Sequence, residues 1–285
     1  VTTITLASDH GSITLYAENQ GRDGFYQAGQ QFFQDWYSIS DSKTEIRERP
    51  SAPGAFGIDR DWRSALPLNL NGRFRGPSWA AMLRDLRSTL SGGLPVRVTV
   101  SDDLGVSSRM VSVRRFVPAP NPGALLADFQ LVLTATDPLM YGPTQSASTV
   151  PPSGGTGQPW PQVWPADWGT GGNPGRLSAA NGGSEATPLL LSVAGGVDGV
   201  ELVEITTGST LRLERIIPAG SVAVFDAALT RAYLDTPAND ITGFMTRREW
   251  SGFLIAARST AIVQFNPLGT QVGSPLLTAT WSDAN

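Results

Sequence analysis

Residues 124–141, ALLADFQLVLTATDPLMY, constrain this chain more than any other stretch. Phe129, Leu131, Leu133 and Ala135 alternate with Gln130, Val132, Thr134 and Thr136, the two-residue period of a strand with one face in a core. Asp137-Pro138 then stops the strand, because proline has no amide donor and holds the residue before it in extended geometry. After Tyr141 the composition shifts for more than forty residues to Gly, Pro, Ser, Thr and Trp, and a regular strand pattern returns at Pro188. The chain therefore reads as a first domain over 1–141, a Gly/Pro/Trp-rich connector over 142–187 and a second domain over 188–285. Asp137, Pro138 and Tyr141 form the hinge where the first domain ends.

The length suits this division, since 285 residues are enough for about two domains that each bury a core. With 31 Gly and 21 Pro the two make up about 18% of the chain, against roughly 12% in an average protein. Helical runs are few, so strands joined by many turns are expected, and the fold class is all-β with one helix. No apolar run approaches the ~18 residues of a membrane helix, and VTTITLASDHG lacks the blocks of a signal peptide. The expectation is a soluble protein, not exported by the general route and with no membrane insertion. There is no cysteine, which excludes disulfides, thiolate metal sites and cysteine nucleophiles. The formal charge is −4, with no concentrated basic footprint of the kind that phosphate binding needs.

In the first domain, residues 2–7 and 12–17 alternate across Asp9-His10-Gly11 and predict a hairpin. The pattern then dissolves, recovers briefly around Phe32 to Ile39, and enters Lys43 to Ser64. That run holds five basic and four acidic residues with two prolines and two glycines, long and irregular enough to be an arm. Long irregular loops in compact domains are usually functional or interfacial. Leu66, Leu68 and Leu70 predict a strand turned by Asn71-Gly72. One helix is expected over 77–91, with Gly76-Pro77 at its start, Ser91-Gly92-Gly93 at its end, and Trp79, Met82, Leu83, Leu86 and Leu90 on its core face. Strands follow at 95–101, with Val96, Val98 and Val100 inward, and at 108–117. The order β, β, arm, β, α, β, β, β suits a β-sandwich or split barrel closed on one side by the helix.

In the connector, Trp160, Trp164 and Trp168 recur every four residues, but Pro161 and Pro165 favour an extended, polyproline-like path. Three free indoles would expose roughly 450–750 Å², more than the largest apolar patch of a typical monomer. They are read as anchors that pack against the chain's own domains, with a neighbouring subunit or a stacked sugar as the other options. Beyond Pro188, eight short strands separated by turn signals, among them Gly195-Gly196, Pro218-Ala219-Gly220 and Asn266-Pro267, predict a β-sandwich.

Catalytic machinery is hard to assemble from these residues. The one histidine, His10, sits in a hairpin turn, while hydrolytic triads and most catalytic zinc sites draw on histidine. No phosphate-cradling GxxxxGK[ST] loop occurs. Paired carboxylates remain available in Glu201, Glu204 and Glu214, but any sandwich surface offers such pairs. No catalytic residue, metal ligand or cofactor site is expected.

Three groups of residues carry a resemblance to a known family. The first is Thr134-Ala135-Thr136-Asp137-Pro138 with Tyr141, and the second is Arg47-Glu48-Arg49-Pro50-Ser51-Ala52-Pro53-Gly54-Ala55-Phe56-Gly57 ahead of a strand. The third is the closing order of Thr207-Gly208, Ala219-Gly220, Phe225-Asp226, Trp250 with Phe253-Leu254-Ile255, Ala261 to Phe265, and Ala279-Thr280-Trp281-Ser282-Asp283-Ala284. Together they resemble the distal tail proteins, also called minor tail proteins, of long non-contractile-tailed bacteriophages. The terminus departs from the pattern, with Ser282 and Asn285 where many relatives carry a basic residue and a final aromatic.

That resemblance implies an N-terminal ring-forming domain and a galectin-like C-terminal sandwich. It implies a structural, non-enzymatic virion protein at the distal end of the tail, made in the host cytoplasm. A homo-hexameric ring would join the tail tube protein above to the tip hub or tail-associated protein below, next to the tape measure protein. DNA would pass through its channel without specific binding. Within that reading Arg47, Arg49, Arg60 and Arg63 are the assembly-interface residues, since guanidinium forks hold carboxylates bidentately. The alternative reading, drawn from the galectin-like expectation and the Trp-rich connector, is a carbohydrate-binding adhesin module that contacts the host surface.

Overall fold

The computed structural model describes residues 2–17, 24–27, 33–44, 48–51, 53, 63–155 and 171–285. The chain divides into two compact units, Val1–Gly142 and Pro143–Asn285.

The first unit is a closed barrel of seven strands. These are β1 (Thr3–Ser8), β2 (Gly11–Tyr16), β3 (Gly24–Gln27), β4 (Leu66–Arg75), β5 (Val96–Asp102), β6 (Gly105–Asn121) and β7 (Leu126–Ala135). Pairing runs β1-β2-β3-β4-β7-β6-β5 and returns to β1. All of it is antiparallel except the β2–β3 seam, a parallel contact at Tyr16 and Tyr26. Alternation decides which side chains fill the barrel. Ile4 and Leu6, Leu68 and Leu70, Val98 and Val100, and Leu131 and Leu133 are all buried in one cluster.

Asn71-Gly72 does not turn the chain. β4 continues to Arg75, and Gly72 lies opposite Phe129 of β7. A Cβ at Gly72 would stand 2.0 Å from Phe129 Cζ, so the glycine is there to let the phenyl ring lie flat across the strand. Helix α1 (Trp79–Leu90) has the expected core face. Leu86 and Leu90 are buried, and Trp79, Met82 and Leu83 pack half-buried against the same cluster. The helix covers the barrel end that carries the β1–β2 turn, where Ser8 Oγ donates to the Thr89 carbonyl at 2.7 Å. The aromatic run read as a brief strand near Phe32 to Ile39 contains instead a short 3-10 turn, Gln34–Tyr37. The reason is spacing: the two buried rings, Phe33 and Trp36, lie three residues apart and fall on one side only when the backbone coils.

β8 (Tyr141–Thr149) starts in the first unit, where Tyr141 faces Ser108. The second unit is a two-sheet sandwich. Its strands are β9 (Arg176–Asn181), β10 (Thr187–Pro188), β11 (Leu190–Ala194), β12 (Val197–Glu204), β13 (Thr210–Leu213), β14 (Val222–Asp226), β15 (Arg231–Leu234), β16 (Met245–Arg248), β17 (Leu254–Ile255), β18 (Ser259–Gln271) and β19 (Leu276–Ala284). One sheet runs β15-β14-β11-β19 and the other β16-β13-β12-β18-β9. Both turn their apolar faces into one core that includes Leu202, Phe225, Phe265 and Trp281.

All eight expected strands of this half are present. β9, in the stretch whose composition reads as a connector, has Leu177, Ala179 and Asn181 inward; its small and polar residues hide the alternation. β18 runs through Asn266-Pro267 rather than turning there, with Pro267 opposite Val200.

Candidate functional site

The residues with the most structure-building chemistry gather around the Gln34–Tyr37 turn, close in the chain to the bridge between Ser42 and Arg63. Ser107 and Arg109 lie opposite Val100 and Val98, whose side chains point into the barrel, so by register these two polar residues point inward as well. They are met by the 33–37 turn. Trp36 is fully buried and stacks on Phe33 at 5.3 Å. Its Nε1 donates to Ser107 Oγ at 3.0 Å, and its carbonyl accepts from Arg109 Nη1 at 2.5 Å. The guanidinium also lies over the indole, 5.1 Å from the ring centre, within cation–π range. Next in the chain, the Tyr37 hydroxyl donates to Asp102 Oδ2. The turn thus seals the barrel end opposite α1.

Arg109 is 3% exposed, and its Nε has no hydrogen-bond partner. Burial pushes its pKa down to about 10, opposed by the nearby charge of Asp137. It remains a cation at neutral pH, and the indole face and the Trp36 carbonyl replace the water it has lost.

Asp137, whose charge acts on this cation, organises the stretch that follows β7. Its Oδ1 accepts from Leu139 N at 3.0 Å and its Oδ2 from the Tyr141 hydroxyl at 2.6 Å, a side-chain-bonded turn that spans Pro138. Burial, then the bond to Asp137, raises the Tyr141 hydroxyl above its ordinary value. Burial and the bond to Asp102 do the same for Tyr37.

The two ends of the segment expected to form an arm are joined by described residues. Ser42 and Arg63 face each other in an antiparallel bridge, Ser64 N donates to the Asp41 carbonyl at 2.8 Å, and Arg63 Nη1 donates to the Ser40 carbonyl at 3.1 Å. Residues 42 and 63, which flank the segment 43–62, are therefore held together. Arg63 works on its own chain's backbone at that point. Arg49 is exposed, and Arg47, Arg60, Trp160, Trp164 and Trp168 lie outside the described residues. Trp36, Ser107 and Arg109 were not foreseen. The available signals were Phe33 and Trp36 three apart, and an arginine at an inward position of a strand.

The other candidates have structural occupations. His10 is an exposed turn residue beside an open groove of about 410 Å³ between β2 and α1. Glu201 and Glu214 flank Arg212 at 3.5 and 2.9 Å. Glu204, 2% exposed, accepts from Thr207 N at 2.6 Å, Thr207 Oγ1 at 2.8 Å and Ile262 N at 3.2 Å. Burial alone would raise this carboxyl, but those bonds outweigh it and hold it below the usual carboxylate range. Among the described residues no group of three His, Asp or Glu side chains could hold a metal ion, and no helix is long and apolar enough to cross a membrane.

No protein-family model matches the chain, and no curated protein matches it. Solved structures do. The Dit protein of SPP1, described as a paradigm of the hub adsorption apparatus in phages that infect Gram-positive bacteria, matches with a TM-score of 0.58 at 11% identity, over 99% of each chain. A chain of the phage P2 baseplate in its activated conformation with Ca matches with a TM-score of 0.56 at 8% identity, and one from the same baseplate with Sr with 0.54 at 9%, each over 98% of both chains. From end to end, this chain has the Dit-like fold of phage baseplate and hub proteins.

Proposed function

We propose that this protein is a structural component of a phage tail tip, a distal tail protein without catalytic activity. Six copies form a ring that joins the tail tube to the tip hub and continues the DNA channel, at the distal end of the virion tail. The observation that carries this reading is the fold shared along the whole length with a protein of a phage hub apparatus. A matching barrel alone would not be specific, since one fold hosts many functions. A barrel and a sandwich in the same order over 99% of both chains is a stronger constraint.

The arm geometry suits assembly. A closed ring is built from heterologous contacts, in which one surface of each copy meets a different surface of the next. An excursion pinned at both feet by Ser40, Ser42, Arg63 and Ser64 can reach outward without loosening the barrel. Arg47, Arg49 and Arg60 are the residues of that excursion we assign to the neighbour. The alternative of a sugar-binding module draws less support. Trp281 is buried with its Nε1 donating to the Ala180 carbonyl at 2.7 Å and offers no free stacking face, and Trp250 is half-buried against the core.

The test is the native mass of the purified protein by light scattering, alone and mixed with tube and hub proteins, with negative-stain images of the same samples. A six-subunit annulus is expected. A monomer in every mixture would overturn the proposal.

A further inference from the structure

We propose that in the ring the outer wall of strands β6, β7 and β4 in one copy receives the β5–β6 turn of the next copy. This rests on the ring reading and deepens it by naming the two faces that meet.

The wall follows from the register. Arg115 faces Val132, which faces Asn69; Val117 faces Gln130, which faces Asn71; Ala119 faces Asp128, which faces Arg73. These residues alternate with the buried Leu131, Phe129, Leu70 and Leu68, so they form one outward surface. Arg114 joins it, its Nε donating to Thr134 Oγ1 at 3.3 Å. Arg73, Arg75, Arg114 and Arg115 thus share a wall on which Asp128 and Asp35 are the described carboxylates. Asp128 is taken by Arg73 at 2.6 and 3.1 Å, and Asp35 accepts from Asn69 at 3.4 Å. Arg75, Arg114 and Arg115 make no ion pair among the described residues. The chain as a whole carries −4, so this wall stands out in sign. Its middle holds the apolar Val117 and Val132.

The turn has the complementary character. Asp102-Asp103-Leu104-Gly105 links β5 to β6, with Leu104 83% exposed and Val106 44% exposed. Asp102 is occupied by Tyr37 and by Leu104 N, and neither Asp102 nor Asp103 is ion-paired among the described residues. Two carboxylates around a projecting leucine match guanidiniums around two valines, and such charge matching selects partner and register.

The arginines of the wall and the tip of the turn lie far apart along β6. From Gly105 to Arg115 the chain runs as one strand with a bulge between Val113 and Arg115, at ~3.3 Å per residue a separation of at most roughly 33 Å. We assign their contact to two neighbouring copies, on the charge and apolar match between the faces. Because the faces differ, it is head-to-tail, the type of contact that closes rings.

The experiment is a charge swap read by light scattering and negative stain, in the mixture that gives the wild-type ring. Arg114→Glu with Arg115→Glu should raise the concentration for half-assembly at least tenfold, as should Asp103→Arg alone. Combining all three in one chain should bring it back to within about threefold of wild type. Arg114→Gln with Arg115→Gln, milder for the strand, should give an intermediate rise, and melting temperatures report that each variant folds. Rings unaffected by the glutamates, or no recovery in the triple variant, would overturn the inference while the ring stands. Unaffected rings with a lost gel shift on duplex DNA would overturn it in favour of a nucleic-acid surface. A wild type that never assembles refutes the ring reading itself.

Discussion

Replacing Trp36 with alanine tests whether the 33–37 turn is what closes the barrel and fixes the root of the arm. The indole is fully buried, and an aromatic side chain of that kind buries roughly 150–250 Å². At about 25 cal/mol per Å² the lost transfer free energy is about 4–6 kcal/mol as an upper bound, and buried Trp→Ala changes generally cost about 3–5 kcal/mol. Loss of the Phe33 stack is part of that sum. Ser107 loses its donor, and Arg109 loses the ring that replaced its hydration, though the backbone carbonyl of residue 36 remains. At about 4 °C per kcal/mol for a domain of this size, the transition of the first unit should fall by roughly 12–20 °C. The loss should also be local first. Trp36 sits on a turn rather than on a barrel strand, so faster hydrogen exchange should appear at 33–44 and at Ser64 before it appears in β5 or β7. Arg109→Met separates packing from charge. It removes a buried cation with one unpaired nitrogen and keeps much of the volume, so it should cost at least ~2 kcal/mol less than the Trp36 change. A melting temperature within about 4 °C of wild type for Trp36→Ala would falsify the assignment of the turn as a barrel plug.

Three further outcomes are expected. Gly72→Ala puts a methyl 2.0 Å from Phe129 Cζ and should cost at least about 1–3 kcal/mol in urea unfolding; in a Phe129→Ala background the same change should cost little, and equal costs in both backgrounds would contradict the contact. Glu204 has its folded-state pKa depressed, so its stabilisation of the second unit is fully present above the ordinary carboxylate pKa and is lost as pH falls through the lower folded value. Glu204→Gln should flatten stability against pH in that acidic window, and an unchanged slope would count against the hydrogen-bonded carboxylate. Because Ser42 and Arg63 face each other, residues 43–62 can be replaced by Asn-Gly; the circular dichroism and melting of the barrel should persist while ring assembly disappears, and intact rings would remove the arm from the interface.

Much of the architecture was legible in the chain because it rests on local periodicity. The alternation of Phe129 to Ala135, of Val96 to Val100 and of Leu66 to Leu70 fixes which side chains are inside whatever the neighbours are, since a strand has two faces and a core accepts one. The helical stripe from Trp79 to Leu90 is legible for the same reason, and so are the eight strands after Pro188. What the sequence left undecided depends on partners distant in the chain. Gly72 reads as a turn until Phe129, 57 positions on, is found lying across it. β9 is too rich in Ala, Ser and Asn to announce itself, and its inward face is defined only by the core it meets. Trp36, Ser107, Arg109 and Asp137 are scattered over a hundred residues, and each alone is an ordinary aromatic, hydroxyl, cation or acid. Their meeting at the mouth of the barrel is decided by strand order and register, which bring an inward arginine under a tryptophan from the Gln34–Tyr37 turn. Periodicity fixes the faces of each element, and only tertiary closure decides which faces touch.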